Sequence, residues 1–147
     1  MTVPPIILLH GVRIFQRENL VLNNVDFTVY KGEFLYLIGR TGSGKSSLMR
    51  TLYGDLPLTE GEGHVCGFDL AKLKRSQVPF LRRKIGIVFQ DFQLLTDRSV
   101  NDNLRFVLKA TGWTDARRMD ERVQQVLEKV GLANKGYKMP HELSGGE

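Results

Sequence analysis

The sequence predicts an α/β fold with a mixed β-sheet, an antiparallel β subdomain at the start and a helical subdomain at the end. Three observations predict it. Short apolar runs typical of strands occupy the first part of the chain and recur at residues 85–89. A glycine-rich loop at residues 39–44 separates a predicted strand from a predicted helix. Residues 99–130 contain two helical patterns without a strand signal.

The antiparallel start is predicted from three apolar runs, at residues 6–9, 25–30 and 33–38. After the third run the pattern changes, because apolar residues following Gly44 recur at helical spacing. Gly54 is placed where that helix would end. The third predicted strand therefore leads through the glycine-rich loop into a helix.

The middle of the chain predicts a short strand at residues 64–66 and a basic helical stretch near residues 70–84. A further strand is predicted at residues 85–89. Its continuous apolar character is typical of a strand buried on both faces. Together with the antiparallel start, this strand implies a mixed sheet.

Two helices are predicted in the last part of the chain. Ser99 is a predicted N-cap for a helix that runs to about residue 110. A second helix, over about residues 115–130, carries one apolar stripe at i, i+3, i+4 and i+7. The predicted division is therefore residues 1–95 for the β subdomain and core, and 96–147 for the helical subdomain.

Composition excludes several classes of protein. The 147 residues are 41% hydrophobic and 25% charged, as in ordinary globular proteins and unlike disordered or fibrous chains. No apolar run approaches the ~20 residues of a membrane span, and the N-terminus lacks the pattern of a secretory signal. The single Cys66 cannot form an internal disulfide. A cytosolic chain is the default expectation, and the net charge of +5 suits an anionic partner without choosing one.

The strongest functional signal is the run at residues 39–46, which matches G-x-x-x-x-G-K-[ST]. Glycines let successive backbone N–H groups face phosphates, and the helix N-terminus adds the positive end of its dipole. Lys45 is predicted to contact the β and γ phosphates, and Ser46 to offer its hydroxyl to Mg²⁺. The predicted nucleotide-binding residues are Gly39, Arg40, Thr41, Gly42, Ser43, Gly44, Lys45, Ser46 and Ser47.

Kinases, GTPases and motor ATPases all use this loop, so other residues must identify the class. Gln90 directly follows the apolar run at residues 85–89, and residues 143–147 read LSGGE. A serine followed by two glycines suits a γ phosphate, which it can bind by a hydroxyl and backbone amides. In this order the loop, Gln90 and LSGGE resemble the Walker A motif, Q-loop and signature motif of ATP-binding cassette (ABC) ATPases. The resemblance covers essentially the whole chain.

Within that family the chain is similar to the FtsE-type cell-division ATPases. The similarity is carried by VPFLRR at residues 78–83 and by LLTDRSV at residues 94–100. The related lipoprotein-export and macrolide-export ATPases usually have a proline at the position of Thr96. An ATPase subunit of such an exporter stays open as the alternative.

The resemblance implies ATP and Mg²⁺ as cofactors and assigns roles to residues. Phe15 would stack on adenine, although core packing explains an aromatic residue near a strand end equally simply. Gln90 would reach Mg²⁺ and the attacking water, and would serve catalysis together with Lys45. In a head-to-tail homodimer, ATP held by the other subunit would be contacted by Ser144, Gly145, Gly146 and Glu147.

The resemblance also implies ATP hydrolysis that drives an FtsX-like integral membrane subunit at the cytoplasmic face of the inner membrane. In the family, the Walker B strand and the switch histidine follow the signature, so the 147 residues alone are expected to be inactive in hydrolysis. In the family, strands that flank the Walker A strand also come from the part after the signature, so apolar strand edges without partners are expected in these 147 residues. A binding-only domain and a soluble ABC protein acting on nucleic acid remain alternatives. The basic residues between 72 and 84 are interpreted as a solvated helix face rather than a nucleic-acid-binding patch, so binding of a specific nucleic acid is not expected.

Overall fold

The computed structural model describes residues 3–147, which form two compact units, one ending at Gly86 and the other comprising residues 87–147. The first unit contains β1 (Ile7–Gln16), β2 (Asn19–Val29), α1 (Lys45–Leu52), β3 (Glu60–Val65), β4 (Phe68–Asp69) and α2 (Val78–Arg82). The second unit contains α3 (Val100–Ala110) and α4 (Ala116–Lys129). Short 3-10 turns lie at Leu70–Lys72, Arg75–Gln77 and Pro140–Glu142. The predicted subdomain boundary at residue 95 stays a prediction.

The sheet of the first unit is antiparallel, with strand order β2-β1-β3-β4. Ile7 in the inner strand β1 lies opposite Val29 of β2 and Val65 of β3. Leu9, Val12 and Ile14 of β1 are at most 1% exposed and form the centre of the core with Leu48, Leu58, Val65, Leu70 and Leu81. The antiparallel pairing predicted for the runs at residues 6–9 and 25–30 is confirmed.

The strands predicted at residues 33–38 and 85–89 are wrong for this structure, which assigns both segments no regular secondary structure. A strand needs a hydrogen-bonded neighbour, and among the described residues neither segment pairs in a ladder. Apolar side chains of residues 34–38 are 40% to 87% exposed, and Val88 is 96% exposed. The mixed sheet that depends on these strands is therefore replaced by an antiparallel sheet in the described residues.

The basic helical stretch predicted near residues 70–84 is shorter than expected and consists of two 3-10 turns followed by α2. Pro79 lies in the first turn of α2, where its missing N–H costs no helical hydrogen bond. Because proline is disfavoured deeper in a helix, the α-helix begins only at Val78. The fully buried Leu81 packs α2 against the core.

The two helices predicted after Ser99 and over about residues 115–130 are confirmed as α3 and α4 of the second unit. The Ser99 hydroxyl caps α3 by accepting the Asp102 N–H at 3.2 Å. The Asp115 carboxylate caps α4 by accepting the Arg118 N–H at 3.1 Å. The buried residues of the α4 stripe are Met119, Val123 and Leu127. Among the residues that the structure describes, no helix has the length and apolar character needed to cross a bilayer.

Replacing Asn103 with alanine is expected to lower the free energy of unfolding by about 2–4 kcal/mol. Its side chain, only 9% exposed, accepts the Leu95 N–H and donates to the carbonyl oxygens of Leu95, Arg98 and Ser99 at 2.9–3.2 Å. Alanine removes these hydrogen bonds and leaves the part-buried N–H and carbonyl of Leu95 without the asparagine side chain as a partner, whereas the Ser99 carbonyl keeps its bond from the backbone N–H of residue 103. Urea denaturation followed by circular dichroism measures the loss. The exposed Gln125→Ala on α4 is the control, and an equal effect of both substitutions would contradict the argument.

Candidate nucleotide-binding site

The glycine-rich loop directly precedes α1, and its conformation requires glycine at two positions. Gly42 and Gly44 have φ of 80° and 95°, in the left-handed region that side chains disfavour. Gly44 is the N-cap of α1, and a Cβ there would lie 2.8 Å from the Leu22 Cγ of β2. The loop can therefore approach the sheet closely while residues 39–43 stay exposed.

Lys45 places a positive charge at this loop. Its Nζ donates to the carbonyl oxygens of Gly39 at 2.5 Å and Arg40 at 2.8 Å, and to the Ser43 hydroxyl at 3.2 Å. The first turn of α1 contains no acidic residue to offset the positive end of the helix dipole. An ammonium and free helical N–H groups at one exposed loop make a site that fits a phosphate chain.

The two serines that follow Lys45 have different surroundings. Ser46 is exposed, whereas Ser47 is 3% exposed and its hydroxyl accepts a hydrogen bond from Gln16 Nε2 at 2.8 Å. The Ser47 carbonyl also accepts the Thr51 hydroxyl at 2.9 Å. Gln16, which sequence reasoning missed, therefore fastens α1 to the end of β1. The nucleotide contact of Ser47 stays a prediction.

The residues at the loop fit magnesium only in combination with a nucleotide. Within the described part of the chain, no group of three or more His, Cys, Asp or Glu residues is placed to hold a metal ion. Mg²⁺ commonly takes one or two protein oxygens, several waters and the phosphates of its nucleotide. The exposed Ser46 hydroxyl at the start of α1 is suited to be such a ligand.

Phe15 lies on β1 immediately before Gln16. Because Gln16 donates a hydrogen bond to the Ser47 hydroxyl of α1, the end of β1 that carries Phe15 is joined to the helix that follows the phosphate loop. The ring is half-buried, lies opposite Leu20 of β2, and has the Arg13 guanidinium 5.4 Å from its centroid. Arg13 is also paired with Glu60 at 2.7 Å. One side of the ring is thus packed while part of it remains accessible, and its contact with adenine stays a prediction.

Gln90 and the signature residues belong to the second unit. Gln90 is exposed and begins a turn, after which Phe92 and Gln93 both adopt left-handed φ, at 59° and 48°. Its contact with Mg²⁺ and water stays a prediction, as does the contact of the signature with ATP.

Hydrogen bonds between Glu147 and Ser144 hold the signature segment in a turn. The Glu147 carboxylate accepts the Ser144 N–H at 2.8 Å, and the Glu147 N–H donates to the Ser144 carbonyl at 3.0 Å. Lys135 forms an ion pair with the same carboxylate. Ser144, Gly145 and Gly146 remain exposed, so the hydroxyl and the glycine amides are available to a ligand. No pattern in the sequence indicated the part of Lys135.

A glycine loop with a lysine at the start of a helix defines the phosphate-loop class of nucleotide-binding domains. The family profile described as "ABC transporter" matches residues 22–147. The chain belongs to the ABC transporter family of ATP-binding proteins, as the sequence motifs predict.

Curated relatives support the FtsE-type similarity. The chain is 40% identical over 136 residues to "Cell division ATP-binding protein FtsE" of Streptococcus pneumoniae, covering 92% of the chain and 59% of the relative. It is 46% identical over 127 residues to the Mycobacterium tuberculosis protein of that name, covering 86% and 54%. It is also 39% identical over 135 residues to "Methionine import ATP-binding protein MetN" of Nocardia farcinica, covering 92% and 40%. The chain thus spans little more than half of the FtsE relatives.

Solved structures confirm the fold class. The chain is similar, with TM-score 0.80 and 27% identity, to a dimeric ATP-binding cassette, MJ0796, in a post-hydrolysis state bound to ADP and Pi. A second dimeric structure of MJ0796, described as a bacterial ABC transporter cassette, gives TM-score 0.82 and 28% identity. Each match covers 95% of this chain and 63% of the other. A phosphate-loop nucleotide-binding fold of the ABC type is confirmed.

Proposed function

We propose that this chain binds ATP together with Mg²⁺ through the loop at residues 39–46. The observation that carries the proposal is the position of Lys45, whose ammonium lies at an exposed loop directly before the N-terminus of α1. The ammonium would contact the β and γ phosphates, and the Ser46 hydroxyl would contribute to Mg²⁺ binding. The nucleotide in the MJ0796 structure supports this assignment.

The proposal is tested by titrating the chain with a fluorescent ATP analogue in the presence of Mg²⁺. Saturable binding is expected, with displacement by ATP and ADP and little displacement by AMP, which lacks the β and γ phosphates. Removal of Mg²⁺ with a chelator should weaken the binding, because the phosphate charge is then less compensated. Absence of saturable binding, or equal displacement by AMP, would overturn the proposal.

Replacing Phe15 with alanine is expected to weaken binding of the ATP analogue by about 5- to 100-fold, the range for losing one aromatic stacking partner of a base. Phe15→Tyr keeps the ring and should bind nearly as well as the unchanged chain. Urea denaturation of both variants separates stacking from packing. A Phe15→Ala variant that loses stability but binds normally would show that the ring belongs to the core.

For a protein of the relatives' full length, we propose ATP hydrolysis by a homodimer. Ser144, Gly145, Gly146 and Glu147 would contact ATP held by the partner subunit, and Gln90 would reach Mg²⁺ and the attacking water. The dimeric state of the MJ0796 structures supports this arrangement. Analytical ultracentrifugation with and without ATP tests it, and a dimer that does not depend on nucleotide would contradict it.

The FtsE names of the relatives support a role in bacterial cell division, with an FtsX-like membrane subunit that places the protein at the cytoplasmic face of the inner membrane. Purification of a tagged full-length protein from membranes tests this role. Co-purification of an FtsX-like protein is the expected result. A lipoprotein, macrolide or methionine permease in its place would instead assign the protein to transport.

A further inference from the structure

The net positive charge of the chain is concentrated in one short segment. Residues 72–84 contain six of the 21 Lys and Arg and none of the 16 Asp and Glu, which leaves 15 basic against 16 acidic residues elsewhere. The charge of +5 is therefore a local property of this segment. We call its six basic residues the basic surface: Lys72, Lys74, Arg75, Arg82, Arg83 and Lys84.

All six residues of the basic surface are exposed, and most lack an acidic partner. Lys72 approaches Asp69 at 3.7 Å, and Arg82 approaches Asp55 at 3.7 Å, although Asp55 is already bound by Arg50 at 2.6 Å. The remaining four, for which the described residues show no ion pair, are Lys74, Arg75, Arg83 and Lys84.

An exposed aromatic residue lies within this surface. Phe80 on α2 is 55% exposed, and the Arg83 guanidinium lies 5.2 Å from its ring centroid. The neighbouring Leu81 is fully buried and anchors α2 in the core. Phe80 is therefore not required to hold the helix in place, and its exposed ring lies beside the Arg83 guanidinium.

We propose that the basic surface binds the anionic lipid headgroups of a membrane, with Phe80 entering the interfacial region. Clustered Lys and Arg are attracted to an anionic bilayer surface, and an apolar side chain such as Phe beside them is buried at the boundary of headgroups and acyl chains. Single-stranded nucleic acid would need several exposed stacking rings. The rings that contact these cations are the exposed Phe80 and the half-buried Tyr53, whose centroid lies 5.4 Å from the Arg82 guanidinium. The contact needs neither ATP nor a second subunit, so it is separate from the nucleotide-binding function.

The test is co-sedimentation of the full chain with lipid vesicles in the absence of nucleotide. One vesicle preparation contains phosphatidylcholine alone, and the other contains phosphatidylcholine with one third phosphatidylglycerol. Binding is expected only to the anionic vesicles and should weaken as salt is raised. The variant with Lys74→Gln, Arg75→Gln and Lys84→Gln is expected to bind about a hundredfold more weakly, at about fivefold per charge.

A control variant removes the same number of exposed charges from the second unit by Lys109→Gln, Arg122→Gln and Lys129→Gln. It should lose less than about fivefold in affinity. Phe80→Ser should weaken binding without changing the salt dependence. Thermal unfolding and binding of the ATP analogue show whether each variant is folded.

Three results would overturn the proposal. The first is no binding of the unchanged chain to anionic vesicles, and the second is an equal loss in both triple variants. The third is tighter binding to duplex DNA or polyglutamate than to the anionic vesicles at the same physiological salt, which would identify the partner as nucleic acid or an acidic protein.

Discussion

Replacing Lys45 with alanine is expected to weaken binding of ATP to this chain by about 10- to 100-fold, the range for losing a hydrogen bond to a charged group. The Lys45 ammonium is held at the loop by the Gly39 and Arg40 carbonyl oxygens and the Ser43 hydroxyl. Alanine removes this charge from the phosphate site and leaves the backbone amides and the other side chains of the loop in place. Titration with a fluorescent ATP analogue measures the change.

The matched control is Lys109→Ala, which removes an exposed lysine from α3 in the second unit. It should leave the affinity unchanged. Because the Lys45 hydrogen bonds are exposed, the Lys45 variant should also unfold within about 1 kcal/mol of the unchanged chain. Normal ATP affinity of a folded Lys45→Ala variant would refute the assignment of this loop as the nucleotide site.

Replacing Gly61 with alanine is expected to lower the free energy of unfolding by about 2–5 kcal/mol, the combined cost of left-handed backbone and overpacking. Gly61 lies in β3, where the register with β1 shifts between His10 and Arg13. Its φ is 93°, and a Cβ would lie 2.6 Å from both the Gly11 carbonyl oxygen and the Val12 Cα. These atoms are backbone, so relief requires β1 and β3 to separate at the centre of the core.

The chain offers a matched control at Gly67, in the turn before β4. Its φ is 83°, similar to that of Gly61, but nothing lies within 4 Å of an added Cβ. Gly67→Ala should therefore cost only about 1–2 kcal/mol from backbone strain. Urea denaturation compares the two variants, and equal losses would show that the close approach of β1 and β3 contributes no additional cost.

The helices of the second unit were predictable because their signals are local. Ser99 caps α3 through the residue three positions on, and the stripe of α4 repeats within a few turns. The strands at residues 33–38 and 85–89 were not predictable in the same way. Their apolar composition is correct for strands, but a ladder depends on neighbours, and the described residues provide none.

The candidate site shows the same difference between local and distant contacts. The loop motif, the glycines with left-handed φ and the lysine at the helix start follow from eight consecutive residues. Sequence reasoning missed Gln16, which binds the Ser47 hydroxyl, and Lys135, which holds the Glu147 carboxylate. Neither residue belongs to a motif, and each acts through a partner that only the fold brings near.

The sequence alone determined the phosphate loop and the two helices of the second unit, because each depends on residues within one or two turns of one another. The family followed from three short motifs and their order along the chain. Only the tertiary structure decided that β3 requires glycine at position 61, since the obstructing atoms belong to residues 11 and 12. It also decided that Ser47 is engaged by β1 while Ser46 stays exposed at the loop. Contacts between residues far apart in the chain depend on chain topology, which local pattern does not encode.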